Sequence, residues 1–353
     1  RPPMSIIAPM MGFNDMPLPV LFRITTAPVF SASGRLITKP GYDQEAKTFY
    51  SPGALEIKPI SEHPTADDVR NAKAVIEEML QDFPFVSDAD RAHAWGTLFI
   101  IPCREMINGP TPITLFESAE AGTGKGLLCE SLLYPFTAGN FERFSPAQDD
   151  AENRKRFTAA LLAGKPAILV DNANDLSGAA LASVTTANVW SDRPLGKTEI
   201  VNIPVKAQFT STGNNVVLTG ELARRVVRSR IEAETDRPWL RDGFKIENLP
   251  KWVRDHRTDI IESVLTLAQA WIVAGMPPPR VKPLGSYTEW TRVVGGILEF
   301  IGIEGFLGNI LQVYEQSDME GAAVRALIAE WYGKYTTLEV QSREIFEIAK
   351  GID

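Results

Sequence analysis

Cysteine and histidine are nearly missing from this chain: Cys103 and Cys129 are the only thiols, and His63, His93 and His256 the only imidazoles, in 353 residues. Their spacing fits neither a disulfide framework nor a zinc site, which excludes a disulfide-stapled scaffold and a Cys/His metal centre. Both thiols are expected to be core residues in a reducing compartment. Long hydrophobic runs are also missing. No segment has the length and apolarity of a membrane span, and the first residues do not read as a secretory leader, so a cytoplasmic protein without membrane contact is expected. An excess of positive charge is the third absence: 36 basic residues stand against 44 acidic ones, for a net charge of −8. This excludes generic coating of nucleic acid by a basic surface and leaves only a local cluster for such contact. The remainder, 44% apolar and 23% charged, is ordinary for a globular chain with room for two or three domains.

What is present centres on residues 117–130, E-S-A-E-A-G-T-G-K-G-L-L-C-E. The apolar run Pro112-Ile113-Thr114-Leu115-Phe116 leads into a loop with Gly122, Gly124 and Gly126 around Lys125, and a helical apolar pattern starts at Leu127. Strand, glycine-rich turn and helix N-terminus together make an anion site. Glycines let backbone N–H groups converge, the helix dipole adds favourable potential, and the lysine brings a mobile charge to the outer phosphates. The pattern G-x-x-x-x-G-K-[ST] is met incompletely. Ala119 replaces the first glycine, and Gly126 replaces the hydroxyl residue that would ligate magnesium. At this point a plain glycine turn between strand and helix stays open.

Along the chain, residues 1–64 are rich in Pro and Gly with short β-prone pieces, and read as a β-rich or irregular lead-in. Thr65 caps a helix with early acids Asp67 and Asp68, and a second helix starts near Ser87 and Asp88. These helices suggest a collar over 65–108. After the loop, Ala167-Ile168-Leu169-Val170 reads as a buried strand ending at Asp171-Asn172, where a parallel strand would present a magnesium-organising acid. A solvated strand-end Asp is the plainer alternative. Residues 176–187 read as a helix, and 190–197 as a turn-rich stretch. Residues 198–205 and 207–212 read as strands, the second ending at Gly213-Asn214-Asn215. Residues 221–232 then hold Arg224, Arg225, Arg228 and Arg230, which alone read as a solvated basic helix face. The tail is helical, with helices over the segment of Ile260 and Trp271 and over 287–301, 321–331 and 338–348. Trp239, Trp252, Trp271, Trp290 and Trp331 read as core.

The order of these features resembles the AAA+ ATPases, and more narrowly the superfamily 3 helicase modules of phage, plasmid and mobile-element primase-helicase proteins. The wording is similar at G-T-G-K-G-L-L (122–128), V-D-N (170–172), W-S-D-R-P-L-G (190–196), T-G-N-N (212–215) and L-A-R-R-V-V (222–227). The lead-in Pro40-Gly41-Tyr42-Asp43 and the linker 83–90 look like that family too. The resemblance covers nearly the whole chain, most specifically residues 115–230. It implies an α/β fold: an AAA+ P-loop core with a parallel-type sheet over 109–235, flanked by the collar and by a C-terminal helical region over 236–353.

The resemblance also implies roles. ATP would be held by Lys125 and the backbone of Ala119, Glu120, Ala121, Gly122, Thr123, Gly124, Gly126 and Leu127. Asp171 would organise magnesium, through water because Gly126 lacks a hydroxyl. Asn214, with Asn215 as the fallback, would be the polar sensor, and Arg224 or Arg225 the finger reaching into a neighbouring subunit's site. Asn172 stands where many relatives carry a water-activating Glu. An amide orients water but takes no proton, and Asp175, Asp192 and Glu120 are substitutes. A hairpin over 191–197, with Arg193 and Lys197, would grip DNA in a ring's pore. The implied function is an ATP-dependent, homohexameric DNA helicase translocating on single-stranded or forked DNA in replication of a mobile element or phage, with a primase domain or protein as partner. The alternative is an ATP-gated DNA-binding initiator or assembly scaffold that does not unwind. A start at Arg1, and an end at Asp353 just past a helical pattern, suggest a piece of a longer protein.

Overall fold

The structure, a computed structural model, describes residues 3–11, 18–196, 198–218, 220–235, 237–317 and 319–350. Local signals set the first helices. In α1 (Ala66–Leu80) the Thr65 hydroxyl accepts from the Asp68 amide while the Asp68 carboxylate accepts from the Thr65 amide, a reciprocal capping box. In α2 (Asp88–Ile100) Ser87 caps through the Asp90 amide, and eleven residues of the helix are buried. That burial on every side places α2 inside the molecule.

The sheet follows. Its strands are β1 (Ile113–Ser118), β2 (Glu142–Phe144), β3 (Ala167–Leu176), β4 (Gln208–Leu218) and β5 (Val226–Arg230). They pair in parallel in the order β5-β1-β4-β3-β2. Parallel pairing requires crossovers, supplied here by α3 (Lys125–Thr137), α4 (Asp150–Leu162) and α5 (Ala179–Val184). All six residues of β1 are buried, as expected for a strand covered on both faces. The chain is therefore α/β with a P-loop-type parallel core. Since β1 has β5 on one side and β4 on the other, the strand order reverses beside it. A crevice opens at its carboxyl end, where open α/β sheets bind ligands.

One core cluster joins α1, α2, α3 and β1 to α6 (Arg257–Val273) and the later helices, through Trp95, Phe99, Phe116, Trp271 and Trp290. A second, on the other side of the sheet, joins α4 and α5 through Phe157, Val184, Trp190 and Phe209. Cys103 and Cys129 are free and buried. Burial raises both thiols, Cys129 to about 12, so neither is a ready thiolate.

Several elements differ from the sequence reading. Both central strands run past their expected ends, β3 to Leu176 and β4 to Leu218, with register shifts after Ser211 and Gly213. The polar run Asn172-Ala173-Asn174-Asp175 conceals the continuation, because only Ala173 and then Leu176 are buried in it. A Cβ on Gly213 would sit 2.1 Å from the Ala173 carbonyl, so the strands touch there only because that residue has no side chain. The helix expected over 176–187 shortens to α5, since Ser177 and Gly178 are spent on the turn before it. The arginine stretch is not a helix beyond Gly220–Ala223, because the β-branched pair Val226-Val227 goes into β5 beside β1. Residues 287–301 are helical but interrupted by a π-type turn at Thr291–Gly295. Trp239 is not core; it is 59% exposed.

Candidate nucleotide-binding site

The glycine-rich loop sits at the carboxyl end of β1 and feeds α3. Gly122 and Gly124 adopt left-handed φ of 77° and 97°, which is where a side chain would be strained. The first amide spent inside α3 belongs to Leu128, bonded to the Gly124 carbonyl at 2.8 Å. The amides of Lys125, Gly126 and Leu127 are thus left at the positive end of the helix for an anion. Lys125 folds back over the loop: its Nζ donates to Ser118 Oγ at 2.7 Å and to the Glu120 carbonyl at 3.0 Å. Thr123 Oγ1 donates to the same Ser118 hydroxyl at 2.8 Å. Burial lowers the Lys125 pKa, with the Glu117 and Glu120 carboxylates opposing the shift. A lysine held by neutral oxygens in a partly desolvated loop is a cation ready for a stronger acceptor. Ala119 and Glu120 form the turn itself, and the Glu120 side chain is exposed.

Asp171 lies on β3, two strands away, and Asn214 on the strand between. Asn214 is paired in register with Ser118, so both lie on one sheet face. Thr212 Oγ1 donates to Asp171 Oδ1 at 2.5 Å and accepts from the Asn172 amide at 3.1 Å. Arg143 Nε stands 3.8 Å from the other Asp171 oxygen and also pairs with Glu130. Asn172 takes a left-handed φ of 56°. Of the two asparagines expected as sensor candidates, Asn215 is committed, since its Oδ1 accepts from Arg230 Nη2 at 3.1 Å. Asn214 is exposed and its side chain makes no hydrogen bond among the described residues. Among those residues no group of three or more His, Cys, Asp or Glu could hold a metal unaided. A magnesium ion here would need phosphate oxygens and water beside Asp171.

A cavity of about 310 Å³ adjoins the loop, lined by Phe83, Gly122, Leu127, Trp239, Arg241 and Phe244 among others. The Trp239 Cβ would lie 3.0 Å from a Cβ on Gly122, so the indole packs directly over the loop. An apolar, aromatic recess next to an anion-binding loop has the shape and chemistry for a nucleobase. The sequence reading missed it because 238–250 carries no motif. The one available signal was an aromatic cluster just after β5.

The arginines separate into two groups. Val226 pairs with Ile113, so Arg224 and Arg225 stand at the amino edge of the sheet. Ser118 and the loop stand at the opposite edge, five strand steps or about 16 Å further along β1. Arg225 is held within the chain by the Ala182 carbonyl and by Glu221 Oε1 at 2.8 Å. Arg224 is exposed and makes no hydrogen bond or ion pair among the described residues. Arg228 and Arg230 are drawn to buried Glu117, at 3.7 and 3.3 Å.

The stretch expected to form a hairpin does so. Val189–Asp192 pairs antiparallel with Val201–Pro204, and the tip between them is exposed at Arg193, Leu195 and Ile200. Lys197 lies outside the described residues. Asp192 is the last paired residue before the tip, facing Val201, and accepts from Arg154 Nε at 3.0 Å and from Thr158. Trp190 Nε1 donates to Thr158 Oγ1 at 2.9 Å, and the Arg154 guanidinium stacks on the Trp190 ring at 4.7 Å. The other end is tied by Arg104, which donates to the Val205 carbonyl at 2.7 Å.

No family model and no curated protein matches the chain. Solved structures similar to it include the apo A form of the NrS-1 C-terminal region, at 14% identity and a TM-score of 0.43, covering 99% of this chain and 76% of that one. Another is SCCmec type IV Cch, an active helicase, at 12% identity and a TM-score of 0.37, covering 99% and 76%. A third is JCV helicase, at 13% identity and a TM-score of 0.33, covering 75% and 65%.

Proposed function

We propose that this chain is the ATP-hydrolysing motor of a DNA helicase that works as a homohexameric ring. One observation carries the reading. Open loop amides, Lys125, the Thr212-held Asp171 and the unbonded Asn214 gather at one edge of the sheet, while the unbonded Arg224 stands at the opposite edge. A single chain has the parts of two half-sites rather than one whole site.

In this reading the loop amides and Lys125 bind the triphosphate, and the aromatic recess with Trp239 takes the base. Bound magnesium supplies charge neutralisation at the phosphates, with Asp171 as its protein anchor. Asn214 orients the attacking water. Arg224 of a neighbouring copy stabilises the charge that develops in phosphoryl transfer, so hydrolysis depends on assembly. Arg193 at the hairpin tip, together with Lys197, contacts the backbone of single-stranded or forked DNA, and a ring repeats these cations around one channel despite the net negative charge of the chain. The division into lead-in, collar, core and C-terminal helices, the primase partner, the mobile-element setting and the cytoplasmic location belong to the same reading.

Asn172 favours a second reading, an ATP-gated initiator or scaffold that binds DNA without unwinding it. Its amide takes no proton, and Asp192, one of the possible substitutes, is committed to Arg154 and Thr158. Strand displacement on a forked duplex with ATP and magnesium separates the two. The helicase reading expects displacement that Lys125→Ala abolishes and Arg193→Ala weakens. ATP-dependent assembly and DNA binding with no displacement selects the scaffold.

A further inference from the structure

Glu117 is an anomaly in β1: a carboxylate with 4% of its side chain exposed, one residue before the end of a strand that is otherwise apolar or hydroxylic. A buried charge is costly unless paired and hydrogen-bonded, and Glu117 is both. Its Oε1 accepts from the Val216 amide at 2.6 Å, and its Oε2 lies 3.3 Å from Arg230 Nη1 and 3.7 Å from Arg228 Nη1. Register puts it between Arg230 on β5 and Gly213 on β4. Strand alternation sets its side chain on the face opposite Ser118 and Asn214. There it borders a cavity of about 400 Å³ with Leu115, Asn215, Arg228, Arg230 and Gln316. Arg228 continues the chain of contacts to Gln312 and Gln316 on α7 (Ile310–Ser317).

The stretch of β4 held by this cluster, where the register with β3 shifts, is the one that carries Asn214. Thr212 is tied to Asp171, Asn215 to Arg230 and Val216 to Glu117, and Gly213 is pressed against the Ala173 carbonyl. Thr212, Gly213, Asn215 and Val216 are each fixed from behind or from the side, and the Asn214 side chain makes no hydrogen bond among the described residues. Asn215 holds a left-handed φ of 41°, a conformation that a non-glycine residue keeps when its surroundings impose it.

From this we infer that Glu117 and Arg230 are positioning residues: a clamp behind the sheet that holds the irregular 213–216 stretch of β4 so that Asn214 stands at a fixed place over the nucleotide loop. The inference rests on the nucleotide-site reading for what Asn214 does, but the clamp itself is independent of it. Phosphoryl transfer depends on placement to within a fraction of an ångström. Loosening this stretch therefore lowers turnover and leaves binding nearly untouched, since Lys125 and the loop amides belong to another segment.

The test uses the full chain as Glu117→Gln, Arg230→Gln and the pair together. Glu117→Gln alone leaves two arginines without their shared counter-charge and is the variant most exposed to misfolding. Arg230→Gln, in a half-buried position, keeps the test decisive. The expected result has two parts. ATP affinity, measured by calorimetry with magnesium, stays within threefold while the turnover number falls tenfold or more. In the ligand-free chain, hydrogen exchange at the Val216 amide accelerates at least tenfold while that of Leu128 is unchanged. Normal exchange at Val216 in Arg230→Gln and in the double variant overturns the clamp, whatever the chain does with ATP. Accelerated exchange in a chain that binds no ATP supports the clamp and removes the nucleotide reading instead. Unchanged turnover in loosened variants overturns the positioning role.

Discussion

The Thr212 hydroxyl donates to Asp171 Oδ1 across 2.5 Å, so a residue of β4 sets the carboxylate orientation of a residue on β3. Thr212→Val removes the donor and keeps the volume. The turnover of magnesium-dependent ATP hydrolysis should then fall about tenfold, the scale of one charge-assisted hydrogen bond, with more magnesium needed for half-maximal rate. Thr212→Ser should retain most of the rate. The measurement is a magnesium titration at saturating ATP.

Adjacent arginines should behave oppositely. Arg224→Ala should lower turnover by about 10³-fold or more if it acts as a finger, and mixing it with Lys125→Ala chains should restore part of the lost rate. Arg225→Ala removes bonds to the Ala182 carbonyl and Glu221. It should cost roughly 1 kcal/mol of stability in urea titration. No recovery in the mixture of the first pair argues against a trans role for Arg224.

Trp239 lies over Gly122 in the aromatic recess. Trp239→Ala should weaken ATP binding by about tenfold, within the range of one aromatic stacking contact with its buried area. Tripolyphosphate, which has no base, should bind the variant and the parent alike. Equal losses for both ligands would mean that the indole supports the loop rather than the base.

His93 is fully enclosed, with Nδ1 2.6 Å from the Arg228 carbonyl and Nε2 accepting from the Leu307 amide at 3.2 Å. This pattern requires the neutral ring protonated at Nδ1. Burial lowers its pKa; the Arg228 carbonyl and Asp90 oppose the shift, and the Arg228 charge adds to it. In the unfolded chain the ring takes its proton near pH 6.5, while the folded chain resists until a lower pH. Below pH 6.5 the unfolded state thus binds more protons, and stability falls as pH drops, by up to about 1.4 kcal/mol per pH unit for one group. Comparing the urea midpoints at neutral and mildly acidic pH, in parent and His93→Gln chains, checks it. The acid-side loss from this group should be missing in the variant.

Much of the fold was legible because local chemistry and burial agreed. Thr65 and Ser87 mark helix starts that the structure keeps, and Ala167-Ile168-Leu169-Val170 is apolar on both faces because the sheet is covered on both. The extended strands were not legible. Past Asp171 and Thr212 they are half exposed, and no period-two apolar pattern accompanies them. Val226 and Val227 were misread because the arginines around them suggested a solvated helix, whereas Arg228 and Arg230 face Glu117 rather than water. At the candidate site the loop glycines and Lys125 carried their own geometry in sequence. The choice between Asn214 and Asn215, and between Arg224 and Arg225, did not, because it depends on partners far away in the chain: Arg230 for one, Ala182 for the other.

The separation of Arg224 from the glycine loop by the length of β1 has a numerical consequence for assemblies. In the proposed assembly each complete site would form at a junction between copies, so a closed ring of n copies would have n working sites while an open row of n would have n − 1. Ring opening would silence one site and leave the remainder intact. The specific activity of partly assembled material should therefore rise with the fraction of junctions closed rather than with the fraction of chains folded.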